Sequence, residues 1–195
     1  MELLRLRRRI VVARRGHKLL KDKQDELMRQ FLALVEEIKG LREEVESSLR
    51  LAHQRFVIAR GVMSDASLEE AIMYPKSEVE LEVASSRVMN VAVPEMKAKW
   101  RGDVYSYGYV GTSGELDAAL GLYSKVLPQM IKLAQIEKSM EMLAAEIEKT
   151  RRRVNALEYI LIPNLLDTAK YITMKLEEME RGNITRLMKI KSAMR

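Results

Sequence analysis

Residues 27–63 read LMRQFLALVEEIKGLREEVESSLRLAHQRFVIARGVM, and the spacing of their apolar residues decides the fold. Apolar side chains recur at alternating steps of three and four residues, apart from one pair of fours around Val45. Such a seam is typical of a helix that pairs lengthwise with another helix, and the pair of fours indicates a stutter where the supercoil unwinds locally. The seam positions are Leu27, Phe31, Leu34, Ile38, Leu41, Val45, Leu49, Ala52, Phe56, Ala59 and Met63. This stretch therefore predicts a long coiled-coil helix.

The same register continues back to the N-terminus, so the first helix is predicted to occupy residues 1–63. No proline lies in this range, and Gly16 and Gly40 each cost a helix only about 1 kcal/mol relative to alanine. At 1.5 Å per residue such a helix is about 90 Å long. The further seam positions are Leu3, Leu6, Ile10, Ala13, His17, Leu20 and Gln24.

A second helix is predicted for residues 116–194, again from apolar spacing. The preceding sequence Thr112-Ser-Gly-Glu115 resembles a capping box, which opens a helix by satisfying its first backbone N–H groups. Pro128 and Pro163 lie inside the pattern, and because the pattern resumes after each, they should bend the helix rather than end it. The seam positions are Leu133, Ile136, Met140, Leu143, Ile147, Thr150, Val154, Leu157 and Leu161, then less regularly Leu165, Ile172, Leu176, Met179, Leu187 and Ile190.

The lengths of these helices determine how the chain folds. A compact chain of 195 residues has a radius of gyration of about 16 Å, which two such helices exceed several times. They must pair lengthwise, and within one chain the simplest pairing is antiparallel. The predicted fold is mostly α: a long antiparallel two-helix coiled coil with a small β-hairpin-containing head, residues 64–115, between the helices.

The head is identified by a change of pattern. Residues 78–83, Glu-Val-Glu-Leu-Glu-Val, alternate strictly, which predicts a half-buried strand with its acids outward and Val79, Leu81 and Val83 inward. Residues 88–93 predict the partner strand, ended by Pro94, so the hairpin covers about 78–93. A two-stranded hairpin is marginal alone, so it must pack on the helices or on a partner.

Basic residues are concentrated at both ends of the chain. Residues 1–23 hold nine Lys and Arg against two acids, and residues 181–195 hold five with no acid. Antiparallel pairing brings these ends together, which predicts one strongly positive tip. The residues alone leave four interpretations open: a protein partner, a nucleic acid, a membrane surface, or solvation only. Nucleic acid is disfavoured because no aromatic platform accompanies the charge, and a membrane because the seam already uses the apolar residues.

Catalytic and cofactor chemistry is not indicated. The chain has no cysteine, no phosphate-binding G-x-x-x-x-G-K loop and no apolar run long enough to span a bilayer. The two histidines, His17 and His53, would lie about 54 Å apart along one helix and cannot share a metal. We therefore expect no catalytic residue, no cofactor and no metal site.

Three segments of the sequence resemble the D subunit of A-/V-type ATPases. The most specific is residues 149–163, KTRRRVNALEYILIP. The others are residues 1–31, from MELLRL to the run ARRGHKLLKDKQDELMRQF, and residues 107–119, where Tyr107-Gly-x-x-Gly-Thr-Ser113 precedes Leu116-Asp117-x-Ala119. Together they cover both predicted helices in the family's order.

This resemblance implies a non-catalytic central rotor shaft. In the family the paired helix termini insert into the hexamer of A and B subunits, and the F subunit docks on the lower part of the shaft and on its hairpin. The head sits on the funnel-shaped C/d subunit that caps the membrane rotor ring. The chain is thus expected in the cytoplasm, peripheral to the membrane, with no direct membrane insertion and no nucleic-acid partner.

Two sets of contacts are hypothesised on this basis. A bearing against acidic loops of the hexamer is assigned to basic residues near the two ends: Arg7, Arg8, Arg9, Arg14, Arg15, Arg186 and Lys189. Contacts with the F subunit or with the hexamer rim are assigned to Arg151, Arg152, Arg153, Val79, Leu81 and Val83. For the three arginines, simple solvation is an equal alternative. The alternative function is a stand-alone coiled-coil adaptor or nucleic-acid-binding arm.

Overall fold

A computed structural model describes residues 2–108 and 110–194, so that Met1, Tyr109 and Arg195 lie outside the described residues. The chain divides into two compact units, one of residues 1–26 with 147–195 and one of residues 27–146. The elements in chain order are helix α1 (Glu2–Val62), helix α2 (Asp65–Met73), strand β1 (Glu78–Val88), strand β2 (Val91–Arg101), helix α3 (Gly114–Asn155), a π-helical turn (Ala156–Leu161) and helix α4 (Ile162–Ala193).

In the unit of residues 27–146, α1 and α3 pair antiparallel. Going along α1 from Arg42 to His53 and then Arg55, the partner on α3 moves back from Glu137 to Tyr123 and then Glu115. The two charged contacts are 3.0 Å each, between Arg42 Nη2 and Glu137 Oε1 and between Arg55 Nη1 and Glu115 Oε2. This descending order confirms the predicted antiparallel helix pair.

The core of this unit contains predicted seam residues of both helices, together with buried residues outside the predicted seam. On α1 the buried residues are Leu27, Ile38, Val45, Ala52 and Ala59, and the last four follow one another at steps of seven. On α3 the buried partners are Leu116, Ala119, Val126, Ile136 and Leu143. The stutter predicted around Val45 does not interrupt this series, because Ser48 and Leu49 are both half-buried and share the next inward place. Helix α3 also continues through Pro128.

The hairpin is longer than predicted and turns at a different place. Strands β1 and β2 pair from Glu78 opposite Arg101 to Val88 opposite Val91, with no break at Pro94. The turn residues Met89 and Asn90 both have positive φ, 47° and 69°, as a two-residue type I′ turn requires. Pro94 does not end β2, because each strand of a two-stranded sheet has a free outer edge where a missing N–H is tolerated.

Three contacts fix the hairpin to the rest of its unit. At its tip, the buried Val91 and Val93 lie over the helix pair, and midway along β2 the Met96 N–H donates a 2.9 Å hydrogen bond to Gln135 Oε1. At its base, Gly102 has φ +88°, and a Cβ there would lie 2.0 Å from the Lys76 carbonyl oxygen. Only glycine can make this close backbone approach.

In the unit of residues 2–26 and 147–194, α1 pairs with the end of α3 and with α4. His17 Nε2 lies 3.3 Å from Glu158 Oε2, and Ile10, Ile147, Thr150 and Val154 are buried. The prediction that Leu161 lies on the seam is wrong, because Leu161 is 45% exposed and Ile162 is half-buried instead. The cause is the π-helical turn, which holds one more residue than an α-helical turn does.

The predicted meeting of the two chain ends at one tip is also wrong. Counting back along α1 from the contact between His17 and Glu158 places Glu2 level with about residue 173. Every described residue from Met174 to Met194 is exposed. Both Arg186 and Lys189 are basic. Measured along α4, they therefore lie about 27 Å or more beyond the level of Arg7. The positive charge of this unit is spread along a helix instead of gathered at a point.

Candidate functional site

The cations of the N-terminal part of α1 lie on its outer surface. Arg7 and Arg14 are seven residues apart, as are Arg8 and Arg15, so they form two lengthwise rows on the helix. All are exposed, as are Arg9, Arg186 and Lys189. Within residues 2–108 and 110–194, none of these seven side chains meets a carboxylate. They are therefore available to another molecule.

Apolar side chains separate the two arginine rows. Leu4 and Val11 are exposed, and their helical positions fall between the row of Arg7 and the row of Arg8. Val12 and Leu19 are exposed as well. The surface thus offers both apolar contact and positive charge, a combination that suits a protein surface with acidic groups.

The three consecutive arginines of α3 differ in their surroundings. Arg151, Arg152 and Arg153 are all exposed. Arg152 Nη2 hydrogen-bonds the carboxylate of Glu148, one turn earlier on the same helix. Arg151 and Arg153 meet no carboxylate in the described part of the chain. Arg152 thus has a partner on its own helix, whereas Arg151 and Arg153 have none among the described carboxylates; whether any of the three contacts another protein stays a prediction.

The apolar face of the hairpin near its base points away from the core, so the expected inward orientation is wrong. Val79, Leu81 and Val83 are 39%, 46% and 59% exposed, and they lie opposite Trp100, Ala98 and Met96. We call these six residues the hairpin strip; Trp100 itself is 45% exposed. Val79, Leu81, Val83 and Trp100 stay exposed because Val91 and Val93, on the other face of the hairpin, make the contact with the helices; Met96 and Ala98 are half-buried.

The face opposite the hairpin strip is charged. Glu80 pairs with Arg101 at 3.7 Å, and Glu82 pairs with Lys99. Sequence reasoning missed Trp100 because it ended the hairpin at Pro94. The available signal was the alternation of Met96, Ala98 and Trp100, which continues with a period of two beyond the proline.

Titratable side chains of α1 and α3 meet at His53 and Tyr123. His53 hydrogen-bonds the Tyr123 hydroxyl, and burial raises the pKa of that hydroxyl above its usual range. Among residues 2–108 and 110–194, no group of three or more His, Asp or Glu side chains could hold a metal ion. In the same part of the chain, no helix is both long and apolar enough to cross a membrane.

In each unit of the described residues α1 packs against a later helical stretch, and exposed cations and apolar side chains lie on the surface. The model of the family of ATP synthase D subunits matches residues 2–192, and the chain belongs to this family, as the sequence resemblance predicted. The chain is 60% identical to the V-type ATP synthase D subunit of Acetivibrio thermocellus, over 100% of this chain and 89% of the relative. It is 55% identical to the D subunit of Clostridium novyi, over 98% and 91%, and 54% identical to that of Fusobacterium nucleatum, over 98% and 92%. It is thus a component of an A-/V-type ATPase.

Proposed function

We propose that the chain is the central-stalk, or rotor-shaft, component of the A-/V-type ATPase and is itself non-catalytic. It couples the ion-driven rotation of the membrane ring to ATP synthesis or hydrolysis in the A/B hexamer by transmitting torque. The observation that carries this proposal is the lengthwise antiparallel pairing of α1 with the second helical stretch, in each of the two units, with exposed cations on the outside. As part of the complex, the chain lies in the cytoplasm, peripheral to the membrane.

Pairing supports this role because a shaft must resist twisting. A single helix is held only by bonds along its own axis, whereas paired helices interlock through buried side chains. In the unit of residues 27–146, buried residues recur every seven positions on α1 from Ile38 to Ala59, which gives regularly spaced places where the two helices can interlock. Twisting one helix against the other would displace these side chains from close packing.

The arginine rows are assigned to contacts with the A and B subunits. Exposed ion pairs contribute about 0–1 kcal/mol each, and salt weakens them further. A surface of many weak contacts holds the shaft in place and still lets it turn, because no single contact is costly to break. Arg7, Arg8, Arg9, Arg14 and Arg15 supply these contacts from α1. Arg186 and Lys189 supply them from α4.

The other surfaces are assigned to the remaining partners. The hairpin strip, through Val79, Leu81 and Val83, is a contact for the F subunit, because uncovered apolar sheet residues gain most from a protein partner. Arg151 and Arg153 are candidates for the F subunit or the hexamer rim. The head presents Tyr74 and Val110, both strongly exposed, to the funnel-shaped C/d subunit on the membrane ring.

Charge reversal in a reconstituted complex tests this function. The variant Arg8→Glu with Arg15→Glu reverses one arginine row, and the control Lys39→Glu with Arg50→Glu changes the same total charge at exposed positions of α1 outside the rows. We expect the first variant to lower the number of ions moved per ATP hydrolysed, and the control to leave that ratio unchanged. Full coupling in the first variant would show that this row is not part of a bearing.

A further inference from the structure

The π-helical turn at Ala156–Leu161 interrupts an otherwise α-helical stretch. The N–H of Ile162 bonds to the carbonyl of Leu157, five residues earlier, where an α-helix would bond four residues back. Turns of this kind are rare, and each holds one residue more than an α-helical turn. The extra residue needs a cause in the sequence.

The cause lies in the spacing of the residues that face α1. Before the turn, Ile147, Thr150 and Val154 are buried and Leu157 is half-buried, at steps of three and four. After the turn, half-buried residues again follow one another at steps of three and four, and these are Ile162, Leu165, Ala169 and Ile172. The step from Leu157 to Ile162 is five. The seam therefore contains one residue too many for a regular helix, and the π-helical turn holds it.

The sequence also permits a second solution. Leu161 lies four residues after Leu157 and four before Leu165, so a straight α-helix could place Leu161 inward as a stutter. The two solutions share Leu157 and Leu165, and between these residues they differ in whether Leu161 or Ile162 faces α1. Leucine and isoleucine have the same volume, so packing discriminates between them only weakly.

Two features favour the π form. Glu158 lies inside the turn, and its Oε2 is 3.3 Å from Nε2 of His17 on α1. Pro163 has no N–H to offer the carbonyl of Tyr159, so a straight helix would gain no hydrogen bond there. The straight form therefore has no additional backbone hydrogen bond at Tyr159 that would favour it over the π form.

We propose that residues 157–165 are a two-state element, in which one state accommodates an extra residue within a π-helical turn and the other does not. In the major state the turn is π-helical and Ile162 faces α1. In the minor state the segment is a straight α-helix and Leu161 takes that place. Interchange releases the rise of one residue, about 1.5 Å, and changes the local twist. This is a property of the chain itself and holds whether or not the protein turns inside a complex.

Disulfide trapping on the isolated chain tests this element, and the absence of native cysteine makes the background clean. Ala13 lies one helical turn before His17, and Ile162 lies one helical turn after Glu158. Because His17 contacts Glu158, Ala13 lies level with Ile162. Three double variants combine Ala13→Cys with Ile162→Cys, with Leu161→Cys, or with Ile160→Cys. Ile160 is 61% exposed and serves as the control. A disulfide requires Cα atoms within about 4.4–6.8 Å, so its rate of formation reports which residue faces Ala13.

The Ile162 pair should close fastest. For a minor state populated at about 1–10%, the Leu161 pair should close at about one-hundredth to one-tenth of that rate, and the Ile160 pair more slowly still. Deletion of Ile160 makes the step from Leu157 to Ile162 four residues and so leaves one regular helix. In that background the Leu161 pair should fall to the level of the control, while the Ile162 pair keeps its rate and shows that the chain is folded.

Removal of the contact between His17 and Glu158 gives a second readout. Glu158→Ala should raise the rate of the Leu161 pair several-fold, because it removes the contact that holds the π form. Glu148→Ala is the matched control, since Glu148 bonds Arg152 on its own helix. The two-state element is refuted if the Leu161 pair closes no faster than the Ile160 pair, or if deletion of Ile160 leaves the rate of the Leu161 pair unchanged.

Discussion

Trp100 offers the sharpest test of the hairpin strip as a contact for the F subunit. Its exposed 45% corresponds to about 110 Å² if a fully exposed tryptophan side chain presents about 250 Å². At about 25 cal/mol per Å², covering that area contributes about 2.8 kcal/mol, or roughly a hundredfold in affinity. Trp100→Ala should therefore weaken binding of the F subunit by about two orders of magnitude. Isothermal titration calorimetry with the isolated chain and the purified F subunit measures this directly.

The matched control for Trp100 is its neighbour on the other face of the hairpin. Lys99→Ala removes an exposed ion pair with Glu82 and should change the affinity for the F subunit less than threefold. Neither substitution removes a buried core residue, so both variants should keep the helical circular dichroism of the parent. An affinity of Trp100→Ala within threefold of the parent would refute the assignment of the hairpin strip to the F subunit.

Three further predictions concern the chain alone. Leu143→Ala should lower the free energy of unfolding by about 3 kcal/mol in urea titrations, since Leu143 is 1% exposed, whereas Leu166→Ala on the exposed surface should cost less than about 1 kcal/mol. Burial raises the pKa of Tyr123, so just above pH 10 only the unfolded chain loses that proton. The free energy of unfolding should therefore fall as the pH rises past 10. In Tyr123→Phe this part of the fall should be absent from unfolding curves measured at pH 8–11. Gly102→Ala places a Cβ against the Lys76 carbonyl and should speed amide hydrogen exchange at the hairpin base, and unchanged exchange would show that the base tolerates a side chain.

The helix pairing could be predicted from the sequence because it depends on the spacing of apolar side chains alone. Ile38, Val45, Ala52 and Ala59 are buried at positions that the seam predicts. Local stutters were less predictable. Around Val45, two neighbouring residues share one inward place, and spacing read from apolar residues alone assigns that place to Leu49.

The π-helical turn could not be predicted for a related reason. Leu161 and Ile162 are both apolar and of equal volume, so either can continue the seam after Leu157. The choice depends on contacts distant in sequence, such as that of His17 with Glu158. Periodicity reports which faces are apolar, but it cannot weigh a rare backbone form against a stutter.

The exposure of the candidate surfaces was predicted in part. The arginines could be expected outside the helix interface because charged side chains off the seam take no part in its packing, and their role as contacts stays a prediction. The orientation of Val79, Leu81 and Val83 was wrong, because an alternating strand has two faces and the tip of the hairpin, through Val91 and Val93, decides which one packs. The axial spread of the basic residues was missed because it depends on the register between the helices, which spacing within each helix does not determine.

Rotation of this chain against a fixed hexamer tests the proposed role most directly. A single cysteine introduced at Tyr74, which is 78% exposed, would carry a probe on an otherwise cysteine-free chain in an A/B complex immobilised through its hexamer. On addition of ATP, the probe should turn stepwise in one direction, and it should stop when ATP is removed. A probe that stays at a fixed angle while the same complexes hydrolyse ATP would contradict the role of rotor shaft.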